Sequence, residues 1–240
     1  MLLKSLFDII APRTCIVCGC RLAISEELVC TPCRLHLPHT DFLDDPYENE
    51  MAKAFWGRIK HFEKAFAPIY HFPHSQSAHI IYQLKYFDKP EIGIEAGEMI
   101  GKMMANKGFF DDIDCILPVP LAKERLRKRG YNQSEMIAEG LHNISHLPII
   151  KDAVKRTSFL SSQTDKSRLA RYENVDNVFE LTKNDAIISK LKGKHILIVD
   201  DVVTTGATIC SLAKTLETIG GIHISVASIG YAGQWRFVKK

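Results

Sequence analysis

Asp200 and Asp201 stand side by side after four apolar residues, Ile196 to Val199, and Val202-Val-Thr-Thr-Gly-Ala-Thr208 follows at once. The apolar run reads as a buried parallel strand. The turn after the carboxylates opens a helix with an apolar stripe of Ile209, Leu212, Ala213, Leu216 and Ile219. Gly220-Gly221 stops that helix, and Ile222 to Ile229 reads as the next strand. The polar residues therefore fall at a strand-to-helix turn, where open parallel sheets bind ligands. A helix N-terminus presents unpaired N–H groups and partial positive charge. Thr204, Thr205, Gly206, Ala207 and Thr208 can wrap amides and hydroxyls around a phosphate, with Gly206 allowing close backbone approach. Asp200 and Asp201 suit neutral hydroxyls, such as a ribose diol, or a Mg²⁺ shell reached through water. The implied ligand carries a phosphate at one end and a diol a few ångströms away. The plain alternative is a strand that ends in two solvated Asp residues and a Thr-rich cap. That alternative requires no run of hydroxyls and Gly at an anion site.

A second cluster has metal-ligand spacing. Of seven cysteines, five lie between Cys15 and Cys33. Cys15-Ile-Val-Cys18 and Cys30-Thr-Pro-Cys33 are two C-x2-C knuckles, and together they can complete a tetrahedral Zn²⁺ site. Four thiolates leave no open position, so such a site is structural. Disulfides are the alternative in an oxidising compartment. A redox pair at Cys30 and Cys33 is another, but no βαβ context surrounds it. Cys20 is a spare close enough to substitute as a ligand, whereas Cys115 and Cys210 read as buried packing residues.

The third cluster follows an apolar segment, Ile113 to Val119, which reads as a strand. Its connecting loop carries Lys123, Arg125, Arg127, Lys128 and Arg129 with Glu124 as the only acid. Beside a turn of the same sheet, such a cluster suits a pyrophosphate or nucleic-acid phosphates. A solvated charged face is the alternative. Arg129-Gly-Tyr-Asn-Gln133 ends the cluster, and Gly130 with the cap signature Asn132…Glu135 makes a second helix-terminus anion site.

The elements that must position these groups alternate. Phe62 to Phe72 reads as strand, Ser77 to Tyr86 and Glu91 to Lys107 as helices, and Gln133 to Ile144 as helix. Asp152 to Arg156 and Asn177 to Leu181 read as short strands, and Tyr231 to Lys240 as an irregular tail. Alternating strands and helices imply an α/β fold with a mostly parallel sheet. The expected divisions are an N-terminal helix with the zinc module over 1–36, a connector with a strand-forming segment over 37–78, and the main domain over 79–240. A length of 240 residues suffices for one such domain with a small appendage. The net charge of +3 is too weak to argue nucleic acid by itself. No apolar run approaches the roughly 20 residues that span a bilayer. Met1 to Arg13 has amphipathic rather than signal-peptide spacing, so the expected location is cytoplasmic.

Val199-Asp-Asp-Val-Val-Thr-Thr-Gly-Ala-Thr208 resembles the phosphoribosyl-pyrophosphate (PRPP) motif of type I phosphoribosyltransferases. Pro118-Val-Pro-Leu121, Arg129-Gly-Tyr-Asn-Gln133, Gln163…Arg171-x-x-Asn-Val175…Phe179, Leu84-Lys-Tyr86 and the paired Cys knuckles together resemble the competence protein F (ComF/ComFC) family. Tyr131 stands where an aromatic such as Phe is usual, and Ser161 to Leu169 matches loosely. The resemblance implies a four-Cys zinc module on a type I phosphoribosyltransferase fold, PRPP with Mg²⁺ as ligand, and a role in natural transformation. That role brings incoming single-stranded DNA, and other competence proteins, as partners.

Carried over by position, Asp200 and Asp201 would hold the ribose hydroxyls, and Val203, Thr204, Thr205, Gly206, Ala207 and Thr208 the 5-phosphate. Lys123, Arg129, Gly130, Asn132 and Gln133 would lie near the pyrophosphate. Gln163 to Asn174 would be a lid with Arg171 its charged contributor, so that Asp200, Asp201, Arg129 and Arg171 would serve catalysis. Lys85 is either a further site residue or a helix-surface lysine. The alternative to an enzyme is a protein that senses PRPP or binds single-stranded DNA without turnover. Its strand contact would use Lys123, Arg125, Arg127 and Lys128 with an aromatic such as Trp56 or Tyr131.

Overall fold

The computed structural model describes residues 12–86, 89–157 and 178–233. Arg171, Gln163 and most of the expected N-terminal helix lie outside the described residues.

The sheet is built from β1 (Phe62–Phe66), β2 (Ile69–Tyr70), β3 (Cys115–Pro118), β6 (His195–Val203) and β7 (His223–Tyr231). Its order is β1-β7-β6-β3, every pairing is parallel, and β2 continues along β7 beyond β1. Both β1 and β2 lie in the expected connector stretch and join the main sheet along β7, Ile69 and Tyr70 through Gly230 and Tyr231. β4 (Val154–Arg156) and β5 (Phe179–Leu181) form a separate antiparallel pair, so the two short strands do not extend the parallel sheet. Ile149 instead makes a parallel bridge with Ile116 at the β3 edge.

Around the sheet run α1 (Thr31–His36), α2 (Glu50–Lys53), α3 (Gln76–Tyr86), α4 (Pro90–Ala105), α5 (Lys123–Arg129), α6 (Gln133–Ser145), α7 (Asp185–Leu191) and α8 (Ala207–Glu217). β6 is apolar because both faces are covered: Ile196, Leu197, Ile198 and Val199 are all fully buried. α4 and α6 pack tightly because Gly97 and Gly140 leave no room for a Cβ between their backbones. Asn132 caps α6 as expected: its side chain accepts from the Ser134 amide at 3.2 Å and donates to Glu135 Oε1 at 3.0 Å. α6, α3 and α4 then place Ser134 and Lys85 against the C-terminal end of the sheet.

Three expectations need correction. β6 does not stop at Val199 but runs through the acidic pair to Val203, with Asp200 in register with Ser228. The ladder to β7 continues because Ser228 and Gly230 offer backbone and no bulk. The basic cluster is a helix, α5, and not a loop; it buries nothing, and Gly130 at φ 78° ends it. The chain is still strand at Tyr231, which is buried and donates its hydroxyl to the Glu50 carbonyl, so the irregular tail cannot begin there.

Candidate functional site

The acidic pair sits at the C-terminal end of β6. Asp200 Oδ1 accepts the Ser134 hydroxyl at 3.0 Å and the Asp201 amide at 2.9 Å. Asp201 Oδ1 accepts the Val202 amide at 2.7 Å, and Lys85 Nζ lies 3.0 Å from Asp201 Oδ2. Burial and the adjacent Asp201 carboxylate push Asp200 up to about 7, against the lowering pull of the Asp201 amide, Ser134 and Lys85. Perturbation of this kind, from desolvation plus a specific charge partner, marks candidate functional sites. Asp201 is nearly buried, at 8% exposure, so its accessible edge is narrow.

The loop expected to receive a phosphate follows. Thr204, Thr205 and Ala207 are exposed, Thr208 is half-buried, and Gly206 is buried at φ 71° at the N-cap of α8. A Cβ on Gly206 would meet Phe55 Cε1 at 2.8 Å, so both the backbone angle and the neighbour demand glycine. Arg58 Nη1 donates to the Thr205 carbonyl at 2.7 Å and to the Ala54 carbonyl at 2.8 Å. Phe55 and Arg58 therefore set the loop from outside it, 147 residues away in sequence for the Arg58 contact. Val203 belongs to the strand, is buried, and accepts from the Ala232 amide.

Lys123, Arg125, Arg127 and Lys128 are all exposed along α5, and Arg129 is half-buried. Asn132 and Gln133 are buried, and Asn132 also donates to the Val119 carbonyl at 3.1 Å, so its side chain is engaged in holding the turn. Tyr131 is half-buried with its hydroxyl on the Leu84 carbonyl at 2.9 Å, which ties the turn before α6 to the end of α3. Trp56, by contrast, is exposed, with Lys53 Nζ 5.9 Å from its ring centroid.

Four contributors escaped sequence reading. Ser134 reaches Asp200 only through the packing of α6 on the sheet. Phe55 and Arg58 lie in a stretch without periodicity. Arg156 stacks on Phe179 at 5.5 Å, and the fields of both Arg125 and Asp200 act on it. None carries a local motif; only a three-dimensional fold brings them together.

The cysteine cluster forms as spaced. The Sγ atoms of Cys15, Cys18, Cys30 and Cys33 all lie within 4.8 Å of one another and could hold a metal ion. The first knuckle closes through Cys15 N to the Cys20 carbonyl at 2.8 Å and Gly19 N to the Cys15 carbonyl at 2.9 Å. The Cys30 amide donates to Cys15 Sγ at 3.3 Å, joining the two knuckles. The Cys20 backbone and the neighbouring thiols bring the Cys18 thiol down to about 6, whereas burial and the thiols around it push Cys33 up. Glu26 braces the hairpin by accepting from the Ala23 amide and from Thr31, and those bonds hold its carboxyl down at about 2. Cys20 is exposed and outside the four-thiol cluster, and Cys115 and Cys210 are buried as expected. Among the described residues no helix is long and apolar enough to cross a membrane.

The chain is similar to known proteins over most of its length. The DNA utilization protein YhgH of Escherichia coli (strain K12) is 28% identical over 220 residues, covering 88% of this chain and 87% of the relative. Competence protein F of Haemophilus influenzae is 31% identical over 119 residues, 50% of this chain and 51% of the relative. Competence protein ComFC of Bacillus subtilis is 34% identical over 111 residues, 46% of this chain and 41% of the relative. The phosphoribosyl transferase domain matches residues 109–234, a span that runs from before β3 through the acidic pair and the Gly206 loop to the end of β7. The chain thus belongs to the phosphoribosyl transferase domain family and has competence protein F among its relatives.

Proposed function

We propose that this protein binds PRPP at the C-terminal end of β6 and acts on it as a phosphoribosyltransferase with an acceptor yet to be identified. One observation carries the reading: the carboxylates of Asp200 and Asp201 and the positive-φ Gly206 loop lie on one continuous strand-turn-helix. That arrangement fits a diol at one end and a phosphate at the other.

Asp200 and Asp201 orient the ribose through its hydroxyls. The exposed Thr204, Thr205 and Ala207 of the loop, with Gly206 and Thr208, receive the 5-phosphate on the N-terminus of α8. Substitution at ribose C1 breaks the bond to pyrophosphate and forms one to the acceptor, through an oxocarbenium-like state. Lys123 and Arg129 at α5, with Arg171, take up charge as pyrophosphate leaves. A pair of adjacent carboxylates fits a hydrated Mg²⁺, which when bound supplies charge neutralisation for the pyrophosphate. Cys15, Cys18, Cys30 and Cys33 hold a structural Zn²⁺.

The names of the relatives support a role in handling incoming DNA inside the cell, alongside other competence proteins. The exposed row Lys123, Arg125, Arg127 and Lys128 favours direct contact with single-stranded DNA, and a non-catalytic DNA-binding role remains the second reading.

Calorimetric titration of PRPP with Mg²⁺ into the protein and into Asp200→Ala/Asp201→Ala tests the reading. Saturable binding in the natural protein, lost in the variant, is the expected result; binding of equal affinity in both sinks it. For DNA, Lys123→Ala/Arg127→Ala should weaken single-strand binding and flatten its salt dependence, with metal content unchanged.

A further inference from the structure

Lys85 does more than decorate the end of α3. Its side chain is 23% exposed, and the Asp201 side chain it faces is 11% exposed, so the pair is largely shielded from water. α3 packs on β6 and β7, which fixes where the ammonium can reach. Asp201 Oδ1 is occupied by the Val202 amide, and Lys85 takes Oδ2. On the neighbouring carboxylate, Ser134 and the Asp201 amide share Oδ1 of Asp200. Oδ2 is therefore the edge of Asp201 at which a cation would meet that carboxylate, and an ammonium of the protein already stands there.

We propose that Lys85 is a resident counter-ion that occupies the position on Asp201 a divalent cation would take, so that cation entry requires Lys85 to move off. The inference rests on the reading that the acidic pair serves PRPP with Mg²⁺. A neutral ribose diol can share the carboxylates with Lys85. A dication cannot share Asp201 Oδ2 with an ammonium 3.0 Å from that oxygen without strong repulsion in a poorly solvated site. Lys85 thereby lowers the affinity of Asp201 for a cation that arrives alone. The freed ammonium would be available to the pyrophosphate when PRPP arrives. Lys85 acts through Asp201 and is a positioning residue.

The test uses the full chain with its cysteine site left intact. Mn²⁺ alone is titrated in, and free Mn²⁺ is followed by electron paramagnetic resonance. Lys85→Met keeps the apolar stem and removes the charge, and Lys85→Gln gives a second neutral variant should the first fold poorly. Both should bind Mn²⁺ at least about tenfold more tightly than the natural protein, a modest allowance for removing one shielded charge. Lys85→Arg should restore weak binding, and adding Asp201→Asn to Lys85→Met should abolish the gain. Equal Mn²⁺ affinity in the natural protein and both neutral variants overturns the proposal. PRPP titration into the natural protein is read separately. PRPP binding with unchanged Mn²⁺ affinity in the variants removes the Lys85 role and leaves the PRPP reading. A gain in Mn²⁺ affinity without any PRPP binding does the reverse.

Discussion

The two ends of the sheet both hold charged groups in a largely apolar setting, and they treat them in opposite ways. At the N-terminal end, Lys64 is 2% exposed and pairs with Asp112, with the Phe109 ring 4.8 Å from its ammonium. His195 hydrogen-bonds through Nδ1 with the Asp112 carbonyl at 2.9 Å and through Nε2 with Ser225 Oγ at 2.8 Å. Asp114 takes the His195 amide at 2.9 Å and Lys194 at 2.8 Å, and these bonds hold its carboxyl below the usual range. Each charge there meets an opposite charge or a fixed dipole, and the network serves stability. At the C-terminal end two carboxylates adjoin each other, with the Lys85 ammonium 3.0 Å from Asp201, and Asp200 is pushed up to about 7. Like charges placed together in a shielded site lower stability, and the proposed PRPP binding is the use that arrangement would serve.

The sharpest break of that comparison removes the acidic pair. Asp200→Asn/Asp201→Asn should lower PRPP affinity by about 100-fold or more, at the scale of losing charged hydrogen bonds to a ligand. Calorimetry checks the affinity, and a variant that bound as well as the natural protein would make the C-terminal end merely a second structural network. The opposite pattern is expected below. Asp112→Ala leaves the Lys64 ammonium buried without its carboxylate. The cost should be about 2–3 kcal/mol, under the full penalty for a broken buried pair because Asp112 is itself half exposed. Thermal melting should drop by roughly 6 °C for a chain of this size, with PRPP affinity unaltered.

Sequence reading found the C-terminal end better than the N-terminal one, for a physical reason. The C-terminal site is local: strand, acidic pair, glycine loop and helix lie within one short run, so periodicity and residue type expose it. The four cysteines were equally legible because metal geometry dictates short spacing within each knuckle. The N-terminal network joins Lys64 to Asp112 and His195 to Ser225, contacts 48 and 30 residues apart, and each residue alone is unremarkable. Lys85 stood between two readings for the same reason, since only the packing of α3 decides that it meets Asp201. The length of β6 was misjudged because two carboxylates look like a strand end, whereas a paired backbone ladder tolerates them when one side opens to a site. Charge density hid α5 in the same way: a helix with no buried residue has no apolar stripe to find.

Gly206→Ala sharpens the comparison at the loop. The backbone angle and the Phe55 ring both oppose a Cβ, and together they should cost about 1–2 kcal/mol of stability. PRPP affinity should fall as well, by about tenfold, because the loop would shift off Thr205 and the N-terminus of α8. A stability loss without an affinity loss would separate the loop from the ligand.

The smallest expected effect probes the N-terminal end through pH. Burial holds the His195 imidazole below its usual value, and Lys64 adds to this, while Asp112 and Glu63 act in the opposite sense without winning. The folded protein therefore takes up its proton at lower pH than the unfolded chain does. The neutral ring's contribution is fully present above about pH 6.5, the unfolded value. It is lost as pH falls below that value toward the folded one, because the unfolded chain then binds the extra proton. Asp200 runs the other way: its raised value makes the folded state hold a proton that the unfolded chain has released, so its contribution declines as pH rises from about 4 toward 7. His195→Gln should flatten the fall in melting temperature between pH 7.5 and 5.5 by the equivalent of up to about 1 kcal/mol. Asp200→Asn should steepen the fall in melting temperature between pH 7.5 and 5.5, because it removes a folded-state proton uptake that opposes the His195 limb, and should raise the melting temperature at pH 8 by about 2–4 °C. If both variants changed the slope in the same direction, the two ends of the sheet would share one electrostatic network, and the separation of a satisfied end from a poised end would fail.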